Sequence, residues 1–444
     1  MSDDELIGCL EDIVSYCEHR GAEAEVMGLS KEEIVVTVER NDVKLCISQD
    51  LEGVGIRTSR DNAVGFASCN SLEKSVTQKA AEKALSMSKK TPKASYDVFA
   101  VPGSLPAIEG LYDPGICTFD EEQAITTVQD MIVIACEDPR IMLDSGEFQV
   151  SVRNRAIATS RGISYQEKKS RFSWFLIGLA REGDDVGSFV YVYGHATNIK
   201  DLSCSETARV LSCHALRNLH AQRVESFTGD LILGPEAVSS LIGYPLIFAL
   251  NAHNIHRGQS MLAGKMGAPI CSDILTVQDN PTLSHDINAS GFDREGTPHH
   301  NVVMIQDGLL QSFIYDTLAA NREGHAPTGN AIGSFREIPK VGITNFIVTG
   351  RSRDLDTIIG ETERGILVNR FSGATADVSG DFSGSLKGTQ LITGGECRHT
   401  TKEVTIAGNL FDILPRISDI STETQYYPQM ILPYVKISDM QVIS

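Results

Sequence analysis

The side chains best suited to chemistry lie between residues 256 and 330, where glycines alternate with polar and charged residues. Glycine permits a positive φ angle or the close approach of another backbone, which is typical of a cleft that holds an extended ligand. Tight turns between strands would give the same pattern, and the residue types alone favour turns. The candidates for lining such a cleft are Ser260, Lys265, Asp293, Glu295, Gly296 and Asn330.

Two carboxylates in this stretch, Asp293 and Glu295, are separated by one residue. On a strand they would share a face, because side chains alternate, and each could perturb the pKa of the other. The alternative is that they cap turns or pair with Arg294 or Lys265. The sequence leaves both interpretations open.

Two histidines, His253 and His256, stand three positions apart, so a helix would place them near one another. No glutamate lies between them and Gly258 follows. This favours a helix end at which the histidines complement the helix dipole. The alternative is an atypical metal site completed by Cys397 and serving an independent hydrolase. Residues 380–384 are not a nucleophile elbow, because their serine is displaced by one position.

The hydrophobic periodicity changes along the chain and predicts the elements that position these residues. Spacings of three to four predict helices over 3–20, 72–87, 119–137 and 201–220. Alternating and short β-like runs predict strands within 25–39, 45–67, 142–193 and 227–233, and Gly53, Gly55 and Gly65 break the stretch 45–67 into short runs. We therefore expect the α+β class, with an N-terminal α/β two-layer domain (1–224) followed by a β-rich, barrel-like C-terminal domain (225–444).

The composition of the 444 residues is that of a soluble globular protein, with 41% hydrophobic and 22% charged residues. A net charge of −19 argues against general nucleic-acid binding, which needs a basic face. No apolar run is long enough to span a membrane, and the N-terminus is acidic where a signal peptide would be basic. The ten cysteines form no C-x-x-C pair. We therefore expect a cytoplasmic protein with reduced thiols.

The order of the glycine-bearing motifs resembles that of the PmbA/TldD family. These motifs are Gly258-Gln259-Ser260, Gly264-Lys265-Met266-Gly267, 290–297, 328–330, 375–384 and 404–410. The similarity is closest to the PmbA (TldE) branch and is strongest from about 234 to 420. It implies a subunit of a metallopeptidase that degrades or processes small or unfolded peptides. It also implies that the turn Ser379-Gly380-Asp381 belongs to the peptide cleft, together with the candidates named above.

The same resemblance places a metal site where this sequence lacks ligands. The TldD branch carries a His-Glu-x-x-x-His zinc motif and a late cysteine. Its positions fall on Gly243, Tyr244 and Phe248 here, and no cysteine follows residue 420. Glycine and phenylalanine cannot bind a metal. The resemblance therefore implies no cofactor in this chain and a TldD-like partner that holds the zinc.

Assembly and function follow as expectations. We expect a dimer, with a TldD-like chain or with a second copy, formed through residues 227–444. Met261, Leu262 and Met266 are candidate anchors of that interface, although they are equally suited to a core. The alternative function is a non-catalytic regulatory or binding protein, similar to a modulator of DNA gyrase, that acts through protein partners.

Overall fold

The computed structural model describes residues 3–444. Its N-terminal half contains four helices and seven strands. The helices are α1 (Asp3–Glu18), α2 (Lys74–Met87), α3 (Glu121–Ala135) and α4 (Cys204–Arg217). The strands are β1 (Glu23–Glu39), β2 (Asp42–Arg60), β3 (Ala63–Cys69), β4 (Ile141–Thr159), β5 (Ser164–Glu182), β6 (Asp185–Val186) and β7 (Val190–Ala196). All four predicted helices are present.

The seven strands form one antiparallel sheet in the order β3-β2-β1-β4-β5-β6, with β7 also paired to β5. The segment 45–67 was predicted as short β-like runs, but it belongs to the long strand β2 and to β3. Two-residue turns join β1 to β2 and β2 to β3. Arg40-Asn41 and Asp61-Asn62 all adopt positive φ angles, as hairpin turns between twisted strands require.

The two faces of this sheet differ because side chains alternate along each strand. Val26 and Ile56 lie on one face, in a buried cluster with Leu6 and Leu10 of α1. Further along the same face, Val36 and Phe148 pack in a second cluster with residues of α3 and α4. Glu25, one residue before Val26, points the other way and contacts the C-terminal half. Polar side chains of the second face therefore meet the rest of the chain.

The C-terminal half begins its ordered elements at Phe227. Its helices are α5 (Pro235–Val238), α6 (Tyr244–Leu250), α7 (Ala252–His256), α8 (Thr317–Glu323), α9 (Leu355–Gly360) and α10 (Leu410–Ile413). Its strands are β8 (Phe227–Leu233), β9 (Leu275–Asp279), β10 (Val302–Gln306), β11 (Leu309–Leu310), β12 (Ala331–Ile332), β13 (Lys340–Val341), β14 (Phe346–Gly350), β15 (Ser352–Arg353), β16 (Arg364–Thr375), β17 (Asp381–Thr393), β18 (Glu396–Thr401), β19 (Thr405–Asn409), β20 (Ile417–Tyr427) and β21 (Met430–Val442).

Twelve of these strands form a second sheet, whose main path runs β11-β10-β9-β14-β21-β8-β16-β17-β18. Strand β8 lies inside the path, and Leu231, Ile232 and Leu233 are fully buried because both faces of the strand are covered. The α+β prediction is confirmed. The second sheet is not closed into a barrel, since β11 and β18 remain separate ends of its path.

The two halves contact one another closely. A Cβ placed on Gly55 of β2 would lie 2.1 Å from the carbonyl oxygen of Phe335. Gln222 forms an isolated β-bridge with Thr401, so the segment before the predicted boundary at 224/225 already contacts β18. That boundary stays a prediction. Within residues 3–444, no helix is both long and apolar enough to cross a membrane.

Candidate functional site between the two halves

A buried chain of four charged side chains joins the two halves. Arg294 Nη1 donates to Glu25 Oε1 at 3.0 Å, and Arg57 Nη2 donates to the other oxygen of Glu25. Arg57 Nη1 lies 2.9 Å from Glu295 Oε1. Each of the four residues is 4% exposed or less. Glu295 was predicted as a cleft residue, and its partner Arg57 on β2 precedes it by more than two hundred positions in the sequence.

Alternation of charge makes this burial tolerable, since each ion has an opposite neighbour and hydrogen bonds. Burial lowers the pKa of Arg57, but Glu25 and Glu295 raise it more, so the guanidinium stays charged. Burial raises the pKa of Glu295, and Arg57 opposes that rise. Removing any one member would leave an uncompensated charge inside the protein.

Asp293 shapes the turn that presents Glu295. Its carboxylate accepts the backbone N–H groups of Glu295 at 2.8 Å, Thr297 at 2.9 Å and Ala331 at 3.0 Å. Gly296 adopts a φ of +83°, which glycine provides without strain. Burial and the neighbouring Glu295 raise the pKa of Asp293, while the three N–H groups oppose the rise. Asp293 is a turn former, one of the two roles that the sequence left open.

Asn330 also supports the site from within. Its Nδ2 donates to Asp279 Oδ2 at 2.6 Å and to the Gly342 carbonyl at 3.1 Å. Asp279 accepts the backbone N–H of Asn345 at 2.5 Å as well. Burial raises the pKa of Asp279 to about 6. The hydrogen bonds that it accepts from the backbone of Asn345 and Thr344 and from the side chain of Asn330 oppose that rise. Asn330 is 1% exposed, and these contacts hold the backbone of the site.

A cleft of about 810 Å³ lies between the halves, beside Glu295. His253 Nε2 lies 2.8 Å from Asp316 Oδ2 on its wall, and Asp316 also caps α8 by accepting the N–H of Ala319. Glu295 Oε2 accepts the N–H of Thr317 at 2.8 Å. The N-terminal half contributes the segment 91–94 and Val98 to the opposite wall.

The cleft wall includes an edge of backbone. Pro339, Lys340 and Val341 line it. Among the described strands β13 pairs only with β12, and on its other side the Val341 carbonyl accepts the Asn251 side chain at 3.3 Å. An extended peptide can add to such an edge through its main chain, with limited demand on its side chains. Carboxylates, a histidine and the half-exposed Ile338 surround that edge. The arrangement is therefore suited to holding an extended chain.

The other predicted cleft residues lie in a separate surface group. Ser260 Oγ donates to the Ala249 carbonyl at 2.6 Å, so its hydroxyl fastens a loop to α6. The Lys265 ammonium lies 5.9 Å from the centre of the Phe411 ring, and Gly380 packs against the same ring. Asp381 accepts hydrogen bonds from Ser379 and Asn409. The sequence candidates therefore divide into the buried group 293–296 with Asn330 and this surface group.

The residues at the expected metal positions do not fit zinc. Gly243 is buried with Met430 Sδ 3.2 Å from the position of a Cβ, and Phe248 offers only an apolar ring. His253 and His256 pair separately, with Asp316 and Glu323, and Cys397 lies on the distant strand β18. Within residues 3–444, no group of three or more His, Cys, Asp or Glu side chains is placed to hold a metal ion.

A second pocket, of about 280 Å³, was not foreseen from the sequence. Glu236 lines it with Tyr193 and Tyr427, whose rings lie 5.1 Å apart. Burial raises the pKa of Glu236 to about 7, although Arg370, 3.8 Å away, opposes the rise. The sequence signal was only a glutamate in the first turn after Gly234-Pro235. Such a residue is ordinary at a helix start.

Comparisons with known proteins agree with this architecture. Family models match two regions: the PmbA/TldA metallopeptidase C-terminal domain over residues 226–444, and domain 1 of the same metallopeptidase over residues 24–88. An uncharacterized protein of Methanocaldococcus jannaschii is 28% identical over 406 residues, which are 91% of this chain and 92% of that protein. Metalloprotease PmbA of Escherichia coli O157:H7 is 24% identical over 397 residues, 87% of this chain and 85% of that protein. The crystal structure of TldE from Thermococcus kodakarensis has the same fold, with a TM-score of 0.92 at 23% identity over 98% of this chain and 100% of that chain.

Proposed function

The chain belongs to the PmbA/TldD metallopeptidase family, and from this premise we propose that it is the peptide-holding subunit of a TldD/TldE-type peptidase. In this proposal a TldD-like partner supplies the zinc, and the substrates are small or unfolded peptides. The observation that carries the proposal is the donor set at the family's metal positions. Gly243 and Phe248 have no atom that binds zinc, while the fold is retained around them.

The cleft between the halves supports a peptide as the ligand. It combines the edge of β13 with polar groups held rigidly by the buried ion-pair chain. Rigid positioning lowers the entropy lost on binding, which matters for an unfolded substrate that must itself be ordered. The ten cysteines are free thiols, which supports assembly in a reducing compartment such as the cytoplasm.

The test is co-expression with a TldD-like protein from the same genome. We expect the chain alone to bind no stoichiometric zinc and to cleave no peptide, and the co-purified pair to do both. About one zinc per isolated chain, lost on substitution of His253 and His256 by alanine, would contradict the proposal and favour an independent hydrolase. A stable pair without peptidase activity would favour the regulatory or binding protein.

A substitution in the cleft tests whether the peptide binds there. Ile338 lines the cleft and is 51% exposed, so Ile338→Arg should obstruct peptide binding without unfolding the chain. We expect KM for peptide to rise at least about five-fold in the assembled pair, with kcat little changed. Ile443→Arg, at a residue 44% exposed away from the cleft, is the matched control. Equal KM values for the two variants would place the peptide elsewhere.

A further inference from the structure

A further cavity, separate from the cleft and from the pocket of Glu236, lies between the two halves and has an unusual concentration of positive charge. Its volume is about 200 Å³. Two carboxylates, Glu167 and Asp293, also line it. We call it the basic pocket and define it by five of its lining residues, Arg153, Arg155, Lys169, Arg171 and Arg294.

Strand geometry brings four of these cations together. Arg153 and Arg155 are two residues apart on β4, and Lys169 and Arg171 are two apart on β5, so each pair shares a face. In the register of the two strands, Arg153 stands directly opposite Lys169. Like charges directly opposite one another destabilise a sheet, so the arrangement has no rationale in folding alone.

The carboxylates nearby neutralise only part of this charge. Glu167 Oε1 lies 3.2 Å from Arg155 Nη2, and Arg155 also donates to the Phe292 carbonyl at 2.6 Å. Asp293 is occupied by the three backbone N–H groups of its turn. Among residues 3–444, no carboxylate forms an ion pair with Arg153 or Arg171.

Several donors in the pocket are buried and unused by the protein. The Nε atoms of Arg153, Arg155 and Arg171 are buried and make no hydrogen bond with the described residues. Arg294 is 2% exposed, and its Nη2 is likewise buried without a hydrogen-bond partner. Among the described residues, no hydrogen bond or ion pair holds the guanidinium group of Arg153 or Arg171, and both residues line the cavity, so these groups are available to a ligand that accepts hydrogen bonds.

The pKa shifts of the cations in the pocket agree with a negatively charged ligand. Burial and the neighbouring Arg155 together lower the pKa of Arg153 to about 10. Burial also lowers the pKa of Lys169 to about 7, with Glu167 opposing the change. Lys169 Nζ donates to the Ile287 carbonyl at 3.2 Å and to the Ala289 carbonyl, so it is positioned by the C-terminal half. An anion in the pocket would relieve the repulsion between these groups.

We propose that the basic pocket binds a small oxyanion, a phosphate or carboxylate group of a compact molecule, through Arg153, Arg171 and Arg294. Guanidinium groups present paired N–H donors that match the oxygens of either group. A cavity of about 150 Å³ accommodates a molecule the size of benzene, so the volume here admits the anion and a few further atoms. The residues that define the pocket all belong to this chain, so binding can be measured without a partner.

The test uses calorimetric titration of the full chain with inorganic phosphate and with succinate, each against sodium chloride at equal ionic strength. We expect saturable binding of at least one probe, and the stronger of the two identifies the phosphate or the carboxylate source. The variant Arg153→Gln/Arg171→Gln should bind at least about ten-fold more weakly, because charge-assisted donors are lost. Arg351→Gln/Arg398→Gln removes two exposed cations elsewhere and should bind like the wild type.

Two further measurements separate binding from folding. Without the probes, the pocket variant should melt at the wild-type temperature or above, because it removes buried like charges. Arg171→Gln alone should weaken binding at least about three-fold while leaving the ion pair of Arg155 intact. The proposal is overturned if the wild type shows no saturable binding of either probe, or if the pocket variants bind within two-fold of wild type.

Discussion

Two aspartates in glycine-bearing turns show how differently one residue type can act. Asp293 is 2% exposed and accepts three backbone N–H groups, whereas Asp381 lies on the surface and accepts hydrogen bonds from two side chains. We expect Asp293→Ala to lower the free energy of unfolding by about 3 kcal/mol, since it leaves buried donors unpaired. Asp381→Ala should change it by about 0.5 kcal/mol or less. Urea denaturation of both variants tests this, and equal losses would show that Asp293 does not fix its turn.

Glu236 predicts a dependence of stability on pH. Its pKa is raised from 4.5 to about 7 by burial, so the folded state keeps a proton that the unfolded state releases between these values. Stability attributable to this group therefore falls as pH rises from 4.5 to 7 and stays low above 7. Glu236→Gln should match the wild type at pH 4 and be about 2 kcal/mol more stable at pH 8. Thermal melts across this range test it.

The control for that measurement is Glu363→Gln, at an exposed residue of the same half. It should shift the melting temperature equally at pH 4 and pH 8. If Glu236→Gln also gives a constant difference, the carboxyl group of Glu236 has the same pKa in the folded and the unfolded state, and the pocket is wetter than its geometry implies.

The sequence located part of the site and could not locate the rest, for a physical reason. Asp293, Glu295 and Asn330 stood out because glycines and polar residues cluster in one stretch. Glu25 and Arg57 did not, because each is an ordinary polar residue of an alternating strand. Their importance arises only when the second face of the first sheet meets the turn 293–297. Pairing across such sequence distances is a property of the tertiary fold.

At the scale of elements, glycines misled the strand prediction. Gly53 and Gly55 looked like breaks between short runs, yet both lie inside the uninterrupted strand β2. A Cβ at either position would meet Phe335, at 2.4 Å from its ring for Gly53 and 2.1 Å from its carbonyl oxygen for Gly55. These glycines allow a backbone from the other half to approach. Long helices were easier to predict, because their apolar spacing repeats over several turns.

This close approach gives a prediction for β2. Gly55→Ala should destabilise the protein by about 3 kcal/mol, because either β2 or the backbone of Phe335 must move. Gly8→Ala in α1 is the matched control, since nothing lies within 4 Å of its added Cβ. That control should stabilise the chain by about 0.5–1 kcal/mol through helix propensity. Chemical denaturation compares the free energies of unfolding of the two variants. A mild effect of Gly55→Ala would mean that the backbone of Phe335 moves away from β2 at little energetic cost.

At the scale of the whole molecule, average charge concealed local charge. A net charge of −19 predicts no extended basic surface, and it gave no sign of the basic pocket. The pocket depends on register between β4 and β5, which places residues of one sign opposite one another. Composition therefore limits the classes of large partner, whereas it says little about small ligands.

Assembly is the remaining property at this scale, and the structure sharpens its prediction. Of the three proposed anchors, Leu262 is fully buried, whereas Met261 and Met266 are each 48% exposed. Flexible methionines suit an adaptable interface, and a permanent one would bury on the order of 2,000 Å². We expect Met261→Asp/Met266→Asp to remain folded but to lose the dimer with a TldD-like partner or a second copy.

Light scattering at micromolar concentration, on the isolated chain and on the co-expressed pair, measures the loss. Met87→Asp/Met142→Asp is the matched control, because those methionines are 40% and 46% exposed but lie in the N-terminal half. The control should keep the wild-type mass, since its charges fall outside residues 227–444. If the methionine variants of both halves dissociate alike, the interface extends over the N-terminal half as well. If the isolated wild-type chain and the co-expressed chains are all monomeric, the proposal of a shared peptidase site is wrong, and the alternative of a binding protein replaces it.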